Sequence, residues 1–259
     1  MKIKNLGFFV FIMVPFAFSI GCSQGHSFTS GFETTTDFSG FYWTPQPHMG
    51  TATWSLQGGT VHSGANAFMG TITGVNPPGT DAVNTNNHRA YPTIQLHKSS
   101  LGVLHTPAMI TLWVNLNVAL TSGQWFSFAT FVSDTSDTWN RTVLVNLDDK
   151  GYVNLMHTPY QEQGVFVRKN TTVAFPMNQW VKLEIYVDFT PDSQDMAGVP
   201  RGYAMVWQNG VLISSARVGG MNGVLAQAHF GVYAAPTVSA ATLYNDDLTM
   251  TEVSPIPLQ

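Results

Sequence analysis

Residues 225–233 read LAQAHFGVY, and this stretch alternates between two different faces, as a β-strand does. The small and apolar face carries Ala226, Ala228, Phe230 and Val232. The other face carries Gln227, His229, Gly231 and Tyr233. That second face presents an amide, a titratable ring and a phenol around a glycine, where another group can approach the backbone. The pattern indicates a cleft that binds or cleaves a sugar, and a merely solvated polar face is the simpler alternative.

Alternation of the same kind recurs along the chain, whereas helical periodicity is nearly absent. Residues 111–118 and 180–189 each place their aliphatic side chains on one face. Asn209-Gly210 is a hairpin signal, and residues 148–151 form another turn between two strand patterns. Many short antiparallel strands with one apolar face predict an all-β fold, a two-sheet antiparallel jelly-roll sandwich over residues 32–253.

The first residues resemble an export signal. Lys2 and Lys4 precede a mostly apolar run, residues 6–20, which is too short to be a membrane span. Cys22 follows Gly21, and a lone cysteine at this boundary is where bacterial lipoproteins are cleaved and acylated. We predict a signal peptide over 1–21, lipidation at Cys22, a tether over 22–31 and a tail over 254–259. Plain secretion after ordinary cleavage is the alternative.

Composition narrows the classes of partner. Cys22 is the only cysteine, so the chain has no internal disulfide. The net charge is −4, charged residues make up 10% of the chain, and Lys and Arg do not cluster. These features argue against nucleic acid and leave a lipid anchor as the one expected membrane contact. They suit an exported protein, secreted or anchored to an outer membrane or cell surface, that meets a polysaccharide.

A second strand pattern, residues 88–96, leaves an Asn-rich loop and carries a matching polar face. Its members are Arg89, Tyr91, Thr93 and Gln95. Arg89 can form a paired hydrogen bond with a substrate carboxylate, or simply a surface salt bridge. If the two strands are neighbours, Arg89, Tyr91 and Gln95 lie near Gln227, His229 and Tyr233.

Such a group suits β-elimination on a uronic-acid polymer. Arg89 and the amides neutralise the carboxylate, and His229 and Tyr233 remove and return protons, in an order that the sequence leaves open. Glycoside hydrolysis instead needs two poised carboxylates. Glu184 and Asp188 are the only close pair of strand carboxylates, and they lie on one outward face that has no matching residues elsewhere in the sequence. Hydrolysis is therefore less supported.

Two further residues are candidates for substrate contact. Trp139 lies in a loop and is the best exposed candidate for stacking on a sugar ring. His157 ends a strand and either lines the cleft or, by alternation with Val153 and Leu155, is half-buried. The remaining histidines have no metal-ligand spacing, which argues against zinc.

A separate constellation suits a structural calcium ion. Its members are Glu33, Ser63, Asn66, Asp246 and Asp247. They belong to the first strand, a tight turn and the last strand, and the first and last strands of a jelly roll are often neighbours. Together they offer several hard oxygen ligands, which Ca²⁺ prefers. Solvated acids beside a turn asparagine are the alternative.

Several motifs together resemble a known family. They are Phe32-Glu33, Ser63-Gly64 with Asn66-Ala67, His88-Arg89, Asn209-Gly210 after Trp207, and Tyr244 with Asp246-Asp247. The combination is similar to the concanavalin-like jelly rolls, and within them to the family 20 polysaccharide lyases, the glucuronan lyases, and to fungal lyase-like secreted proteins. The resemblance covers roughly residues 32–252. It implies calcium on Glu33, Ser63, Asn66 and an Asp. It also implies a cleft of His88, Arg89, Gln227, His229 and Tyr233.

The sequence departs from the alginate lyases of the same fold. Their Gln-x-His strand is replaced here by residues 128–132, which have neither residue, and His229 stands where they have a lysine. The expected function is therefore β-elimination on a uronic-acid-containing polysaccharide. The alternatives are a non-catalytic carbohydrate-binding or surface lipoprotein module and a structural envelope lipoprotein without a sugar ligand.

Overall fold

The computed structural model describes residues 26–35, 51–77, 86–135, 141–158, 165–167, 170–190, 201–219 and 222–256. Within these ranges the chain is built from β-strands and one short 3₁₀ helix, Leu96–Lys98. The strands are β1 (Ser27–Ser30), β2 (Ala52–Gln57), β3 (Ala67–Ile72), β4 (His88–Ala90), β5 (Thr93–Gln95), β6 (Leu104–His105), β7 (Ala108–Val118), β8 (Trp125–Val132), β9 (Thr142–Asp148), β10 (Val153–Thr158), β11 (Val165–Val167), β12 (Trp180–Asp188), β13 (Arg201–Gln208), β14 (Val211–Gly219), β15 (Val224–Leu225), β16 (Gln227–Ala234) and β17 (Ala241–Glu252). In this part of the chain no helix is long and apolar enough to cross a membrane.

Two antiparallel sheets form a sandwich. The first has the order β14-β13-β12-β7-β17-β3-β2, with β1 also paired to β17. The second has the order β11-β10-β9-β8-β16-β4, with β5 also paired to β16. Side chains from both sheets meet in one hydrophobic cluster. Leu112 on β7, Leu183 on β12 and Phe230 on β16 are all fully buried in it. The prediction of an all-β jelly-roll sandwich is confirmed, together with the faces predicted for these strands.

The predicted tether over 22–31 is wrong in its second half. Ser27–Ser30 forms β1, which pairs with Leu248–Thr251 of β17, beyond the part of β17 that pairs with β3. Phe28 and Ser30 are buried, while their neighbours on the strand are exposed. This short alternation is hard to recognise in a serine-rich segment. The predicted signal peptide and Cys22 lie outside the described residues.

Strand β16 lies inside the second sheet, between β8 on one side and the short strands β4 and β5 on the other. Tyr233 is opposite Arg89 on β4, and Gln227 is opposite Gln95 on β5. Residues that are directly opposite on paired strands share one face of a sheet. The topology therefore brings the two predicted polar faces together, on the side of the sheet away from the core.

Gly231 has a packing role rather than the role that its sequence position suggested. Its φ is 116°, a conformation that favours glycine. A Cβ at this position would lie 2.8 Å from both the Ala90 carbonyl oxygen and the Phe68 ring. The space expected for an approaching ligand is therefore filled by the protein itself.

Candidate functional site

Three aromatic rings lie together on the outer face of the second sheet, in the region that we call the cleft after the sequence prediction. The His229 and Tyr91 rings are stacked, with their centroids 3.9 Å apart and their planes at 10°. Tyr233 meets both rings edge-on, at 6.1 Å from Tyr91 and 5.7 Å from His229. Each ring restrains the other two, so the cluster is preorganised rather than assembled by a ligand.

Arg89 supplies the positive charge of this cluster. Its guanidinium carbon lies 5.6 Å from the centroid of the Tyr233 ring, within the range of a cation–π contact. Arg89 and Tyr233 are both partly exposed, whereas Tyr91 and His229 are buried. The accessible part of the cluster therefore consists of a cation and a phenol.

A pair of amides extends the cluster along the sheet. The Gln95 amide donates a hydrogen bond to the Gln227 side-chain oxygen at 2.9 Å, and the Gln227 amide donates to the Asp134 carbonyl at 2.9 Å. Both glutamines are buried. The structure thus brings together six of the predicted cleft residues: Arg89, Tyr91, Gln95, Gln227, His229 and Tyr233.

Burial keeps two of the cleft residues neutral. Burial, together with the smaller effect of the nearby Arg89, lowers the pKa of His229 to about 3. Burial also raises the pKa of Tyr91, an effect that Arg89 opposes and Tyr233 reinforces. At ordinary pH His229 is therefore an uncharged imidazole and Tyr91 an uncharged phenol. An imidazole whose conjugate acid has a pKa near 3 is a weak base.

His88 is not in the cleft, although the resemblance placed it there. It is opposite Ala234 and shares the core-facing side of the sheet, where it is fully buried. Its Nε2 donates to the Pro236 carbonyl at 3.1 Å, and its Nδ1 lies 3.0 Å from Thr51 Oγ1. Burial lowers the pKa of His88, which is consistent with a neutral ring between these partners. His88 anchors the chain just before the cleft begins.

His157 also lies away from the cleft. It is opposite Val143, a core residue, and is 5% exposed on the side of β10 that carries Val153 and Leu155. Because side chains alternate along a strand, His157 lies on the same core-facing side of β10 as these apolar residues, and not on the outer face. Trp139 lies outside the described residues.

Sequence reasoning missed three polar side chains that extend the predicted cluster across the sheet: Ser127, Asn146 and Asn154. From Arg89 and Tyr233 the pairing continues through Ser127 on β8 to Asn146 on β9 and Asn154 on β10. We call these five residues the polar row. Adjacent strands lie about 4.8 Å apart, so the row spans roughly 19 Å, more than one sugar ring.

Members of this face retain hydrogen-bonding capacity. Asn146 Oδ1, Asn154 Oδ1 and the hydroxyl of Thr130, which is opposite His229, are buried and make no hydrogen bond with the described residues. Buried acceptors of this kind are normally satisfied by water or a ligand. In the sequence, Asn146 and Asn154 each stand between two aliphatic residues. A polar residue within an apolar strand is a signal of function, but a search limited to titratable side chains does not detect it.

Asn87 was also missed, because it lies in an Asn-rich loop. Its side-chain nitrogen donates a hydrogen bond of 3.1 Å to the Tyr233 hydroxyl oxygen. Trp125 approaches the same tyrosine from another side, with ring centroids 4.9 Å apart. Tyr233 therefore has two neighbours, Asn87 and Trp125, that the alternation pattern of its own strand did not predict.

The predicted calcium ligands converge on the tight turn of residues 62–66, which we call the acid-anchored turn. The Glu33 carboxylate accepts hydrogen bonds from the backbone N–H groups of Ala65 and Asn66, and the Asn66 amide donates back to the Glu33 carbonyl at 2.9 Å. Gly64 has a φ of 63°, and a Cβ there would overlap the Glu33 carboxylate. Glycine is thus required for this close approach.

Two aspartates of β17 hold the other side of the acid-anchored turn. The buried Asp246 carboxylate accepts hydrogen bonds from the backbone N–H groups of His62 and Ser63 at 2.8 and 3.1 Å. Burial raises the pKa of Asp246, and these N–H groups act in the opposite direction. Asp247 accepts the Ser63 hydroxyl and lies 2.6 Å from His62 Nδ1.

The carboxylate, hydroxyl and amide oxygens of these residues are ligands that a hard cation prefers. In the structure, however, the carboxylates of all three acids accept hydrogen bonds from the turn. Among the described residues, no three His, Cys, Asp or Glu side chains form a group that could hold a metal ion.

Comparison with solved structures supports the fold. An endo-β-1,4-glucuronan lyase from the fungus Trichoderma reesei aligns with a TM-score of 0.57 at 11% identity, over 89% of this chain and 96% of the lyase. Cellulose induced protein Cip1 aligns with a TM-score of 0.58 at 16% identity, over 88% of this chain and 99% of Cip1. No protein-family model and no curated protein matches the sequence. The resemblance inferred from the sequence is thus confirmed as a shared fold.

Proposed function

We propose that this chain is an exported, lyase-like protein that cleaves a uronic-acid-containing polysaccharide by β-elimination. One observation carries the proposal: Arg89 and Tyr233 are in contact and partly exposed, above a buried and preorganised pair of rings. A cation beside a phenol on a sheet face is what recognition and deprotonation of a uronate require. The shared fold with a glucuronan lyase is consistent with this chemistry.

The reaction assigns a different task to each group. Arg89 binds the substrate carboxylate and neutralises it, which acidifies the adjacent C–H bond. The proton leaves that carbon, its electron pair forms a C=C bond, and the glycosidic C–O bond on the next carbon breaks. The leaving oxygen takes up a proton, so no water is consumed. The products are one unsaturated uronate and one new chain end.

Tyr233 is the proton-transfer group that we propose for this reaction: as the phenolate it takes the proton from the carbon, and the phenol so formed returns a proton to the leaving oxygen. His229 is neutral and weakly basic, because burial lowers its pKa to about 3. It is better suited to hold Tyr91 and the substrate in place as an uncharged hydrogen-bonding ring. We therefore propose Tyr233, rather than His229, for the proton transfer that the sequence left open between these two residues.

The proposal predicts a polymeric substrate rather than a single sugar. The polar row starts at Arg89 and Tyr233 and continues across β8, β9 and β10, so a chain laid along it meets further polar side chains on one side of the reacting unit. Neutral amides and hydroxyls suit sugar hydroxyl groups, and Arg89 suits one carboxylate.

The test is the ultraviolet absorbance of the unsaturated product, followed with glucuronan, alginate and other polyuronates. We expect the purified mature chain to cleave at least one polymer and Arg89→Ala to lose most of the activity. Arg217→Ala is the matched control, because Arg217 is an exposed arginine on β14 of the other sheet. A flat trace on every polymer would refute the lyase proposal.

A non-catalytic carbohydrate-binding module is the second candidate. The observation that favours it is the neutral state of His229 and Tyr91, since uncharged rings and amides bind sugars without chemistry. Thr130 also stands opposite His229, on the strand that lacks the Gln-x-His pair of the alginate lyases. Binding of a polyuronate without any cleavage would establish this alternative.

We propose calcium as a stabilising ligand of the acid-anchored turn, on the basis of its oxygen-rich side chains alone. The measurement is thermal unfolding in calcium, in magnesium and in a chelator, for the wild type and for Glu33→Gln. We expect calcium to raise the wild-type midpoint and Glu33→Gln to abolish that response. Equal midpoints in calcium and chelator would refute the proposal.

Export and lipidation complete the proposal. A polysaccharide substrate is extracellular, and the first residues carry the features of a secretory signal followed by Cys22. Expression in a bacterial host with labelled palmitate tests the anchor, with Cys22→Ser as the control. Label in the wild type and its loss in the variant support a lipoprotein. Release of unlabelled wild type into the medium would favour plain secretion.

A further inference from the structure

The hydroxyl of Tyr233 is oriented by a neighbour that lies outside the strands. Asn87 Nδ2 donates to the Tyr233 oxygen at 3.1 Å, and Asn87 is 8% exposed. A phenol oxygen carries one hydrogen and accepts others through its lone pairs. Because Asn87 supplies a donor, the hydrogen of Tyr233 must point in another direction.

The residues on either side of Asn87 hold it in place. Asn86 has a φ of 49°, its carbonyl accepts the Asn76 amide at 2.8 Å, and its own amide donates to the Pro77 carbonyl at 2.8 Å. His88 is fixed through both ring nitrogens, by Thr51 and by Pro236. The backbone around Asn87 is therefore restrained by side-chain contacts on both sides.

The Tyr233 ring is restrained as well, so the contact joins two fixed partners. Trp125 and Tyr91 meet the ring edge-on, and the Arg89 guanidinium lies over it. Rotation of the ring away from Asn87 would disturb all three contacts. The amide of Asn87 thus prevents the phenol O–H from pointing toward Asn87.

We propose that Asn87 is a positioning residue that directs the Tyr233 hydroxyl toward the substrate and stabilises negative charge on its oxygen during proton transfer. This role rests on the proposed function. Before Tyr233 takes the proton from the substrate carbon, and again after it gives one to the leaving oxygen, its oxygen carries negative charge. An amide N–H directed at that oxygen stabilises the charge without itself exchanging a proton.

Variants at Asn87 separate this role from a structural one. Asn87→Ala removes the donor, and Asn87→Asp replaces it with a group that accepts the Tyr233 hydrogen and repels negative charge. Asn87→Gln keeps an amide donor on a longer side chain. We expect kcat to decrease in the order wild type, Gln, Ala, Asp, by about 10- to 100-fold for Ala, with KM nearly unchanged.

Asn170→Ala is the matched control, since Asn170 accepts local hydrogen bonds from Thr172 outside the cleft. It should leave kcat unchanged. Thermal unfolding of each variant identifies any general loss of structure. A decrease in kcat that followed the unfolding midpoint, without the low value for Asp, would show a structural role and overturn the proposal.

A second readout does not depend on activity. In ¹⁵N spectra the Asn87 side-chain amide signals should shift in Tyr233→Phe, which lacks the accepting oxygen. Unshifted signals, or full kcat in Asn87→Ala while the wild type cleaves its polymer, would overturn the positioning role alone. A wild type that cleaves no polyuronate would overturn the proposed function, and the role of Asn87 with it.

Discussion

The acid-anchored turn and the cleft are both clusters of polar side chains, but their partners differ. Around the turn, Glu33 and Asp246 are bound chiefly by backbone N–H groups. In the cleft, Tyr91, His229 and Tyr233 contact one another and Arg89. In the turn, charged side chains fix the position of the backbone. In the cleft, side chains on the outer face of the sheet pack against one another.

The two kinds of partner indicate different roles for the two clusters. A carboxylate that accepts two backbone N–H groups has little to offer a substrate, and its removal leaves buried donors unpaired. A cation and a phenol that remain partly exposed above packed rings are available for chemistry. Changes at the turn should therefore alter stability, and changes in the cleft should alter activity.

The largest expected effect is on catalysis, in Tyr233→Phe. The ring and its packing remain, but the hydroxyl that transfers the proton is absent. We expect kcat to decrease by about 100- to 10,000-fold, the usual contribution of a general acid or base. The unfolding midpoint should be close to that of the wild type. A variant that retained most of its activity would remove Tyr233 from the mechanism.

The next effect is on stability, in Asp246→Ala. This change leaves the backbone N–H groups of His62 and Ser63 without their buried acceptor, at a cost of about 3 kcal/mol in the free energy of unfolding. Urea unfolding measures it. Asp188→Ala is the control, because Asp188 accepts one exposed N–H group, from Thr190. If Asp246→Ala lost activity while its stability was unchanged, the contrast between turn and cleft would fail.

A smaller effect is the acid sensitivity of the fold. The pKa of His229 is about 3 in the folded chain and about 6.5 when unfolded, so only the unfolded state takes up this proton between those values. The contribution of neutral His229 to the free energy of unfolding is therefore fully present above pH 6.5. It decreases as the pH falls toward 3, by up to about 1.4 kcal/mol per pH unit. His88, whose pKa is also lowered, acts in the same direction.

His229→Gln should flatten this dependence, since it removes the titrating ring from beside Arg89. The measurement is the free energy of unfolding between pH 4 and 7, in steps of about half a unit. An equally steep slope in the variant would mean that other groups cause the acid sensitivity.

The smallest effect concerns substrate binding along the polar row. Asn146→Leu removes a buried acceptor that no described residue satisfies, so we expect a several-fold higher KM, about 1 kcal/mol, with little loss of stability. Asn245→Leu is the control, because Asn245 is also buried with no hydrogen bond to the described residues, but lies on β17 in the first sheet. Equal KM values in both variants would exclude Asn146 from the binding surface.

Much of this structure was predictable because period-two alternation is a local property. The buried faces of β7 and β12 and the polar face of β16 follow directly from their residues. The sequence also indicated that His88 shares a face with Ala90, and therefore with the core. Placing it in the cleft gave the family resemblance more weight than the alternation.

What the sequence could not show depends on contacts between distant segments. Asn87 precedes a strand by one residue, and its value lies in meeting Tyr233 on another strand. The low pKa of His229 follows from burial beneath neighbours that periodicity does not specify. The role of Gly231 likewise depends on Phe68, which belongs to the opposite sheet.

The most direct test of the central claim is mass spectrometry of the products formed from a polyuronate in heavy-oxygen water. β-Elimination in the cleft predicts an unsaturated uronate at the new non-reducing end and no incorporation of solvent oxygen during bond cleavage. Products that each account for one added water, with heavy oxygen at the cleaved bond, would show hydrolysis and contradict the account.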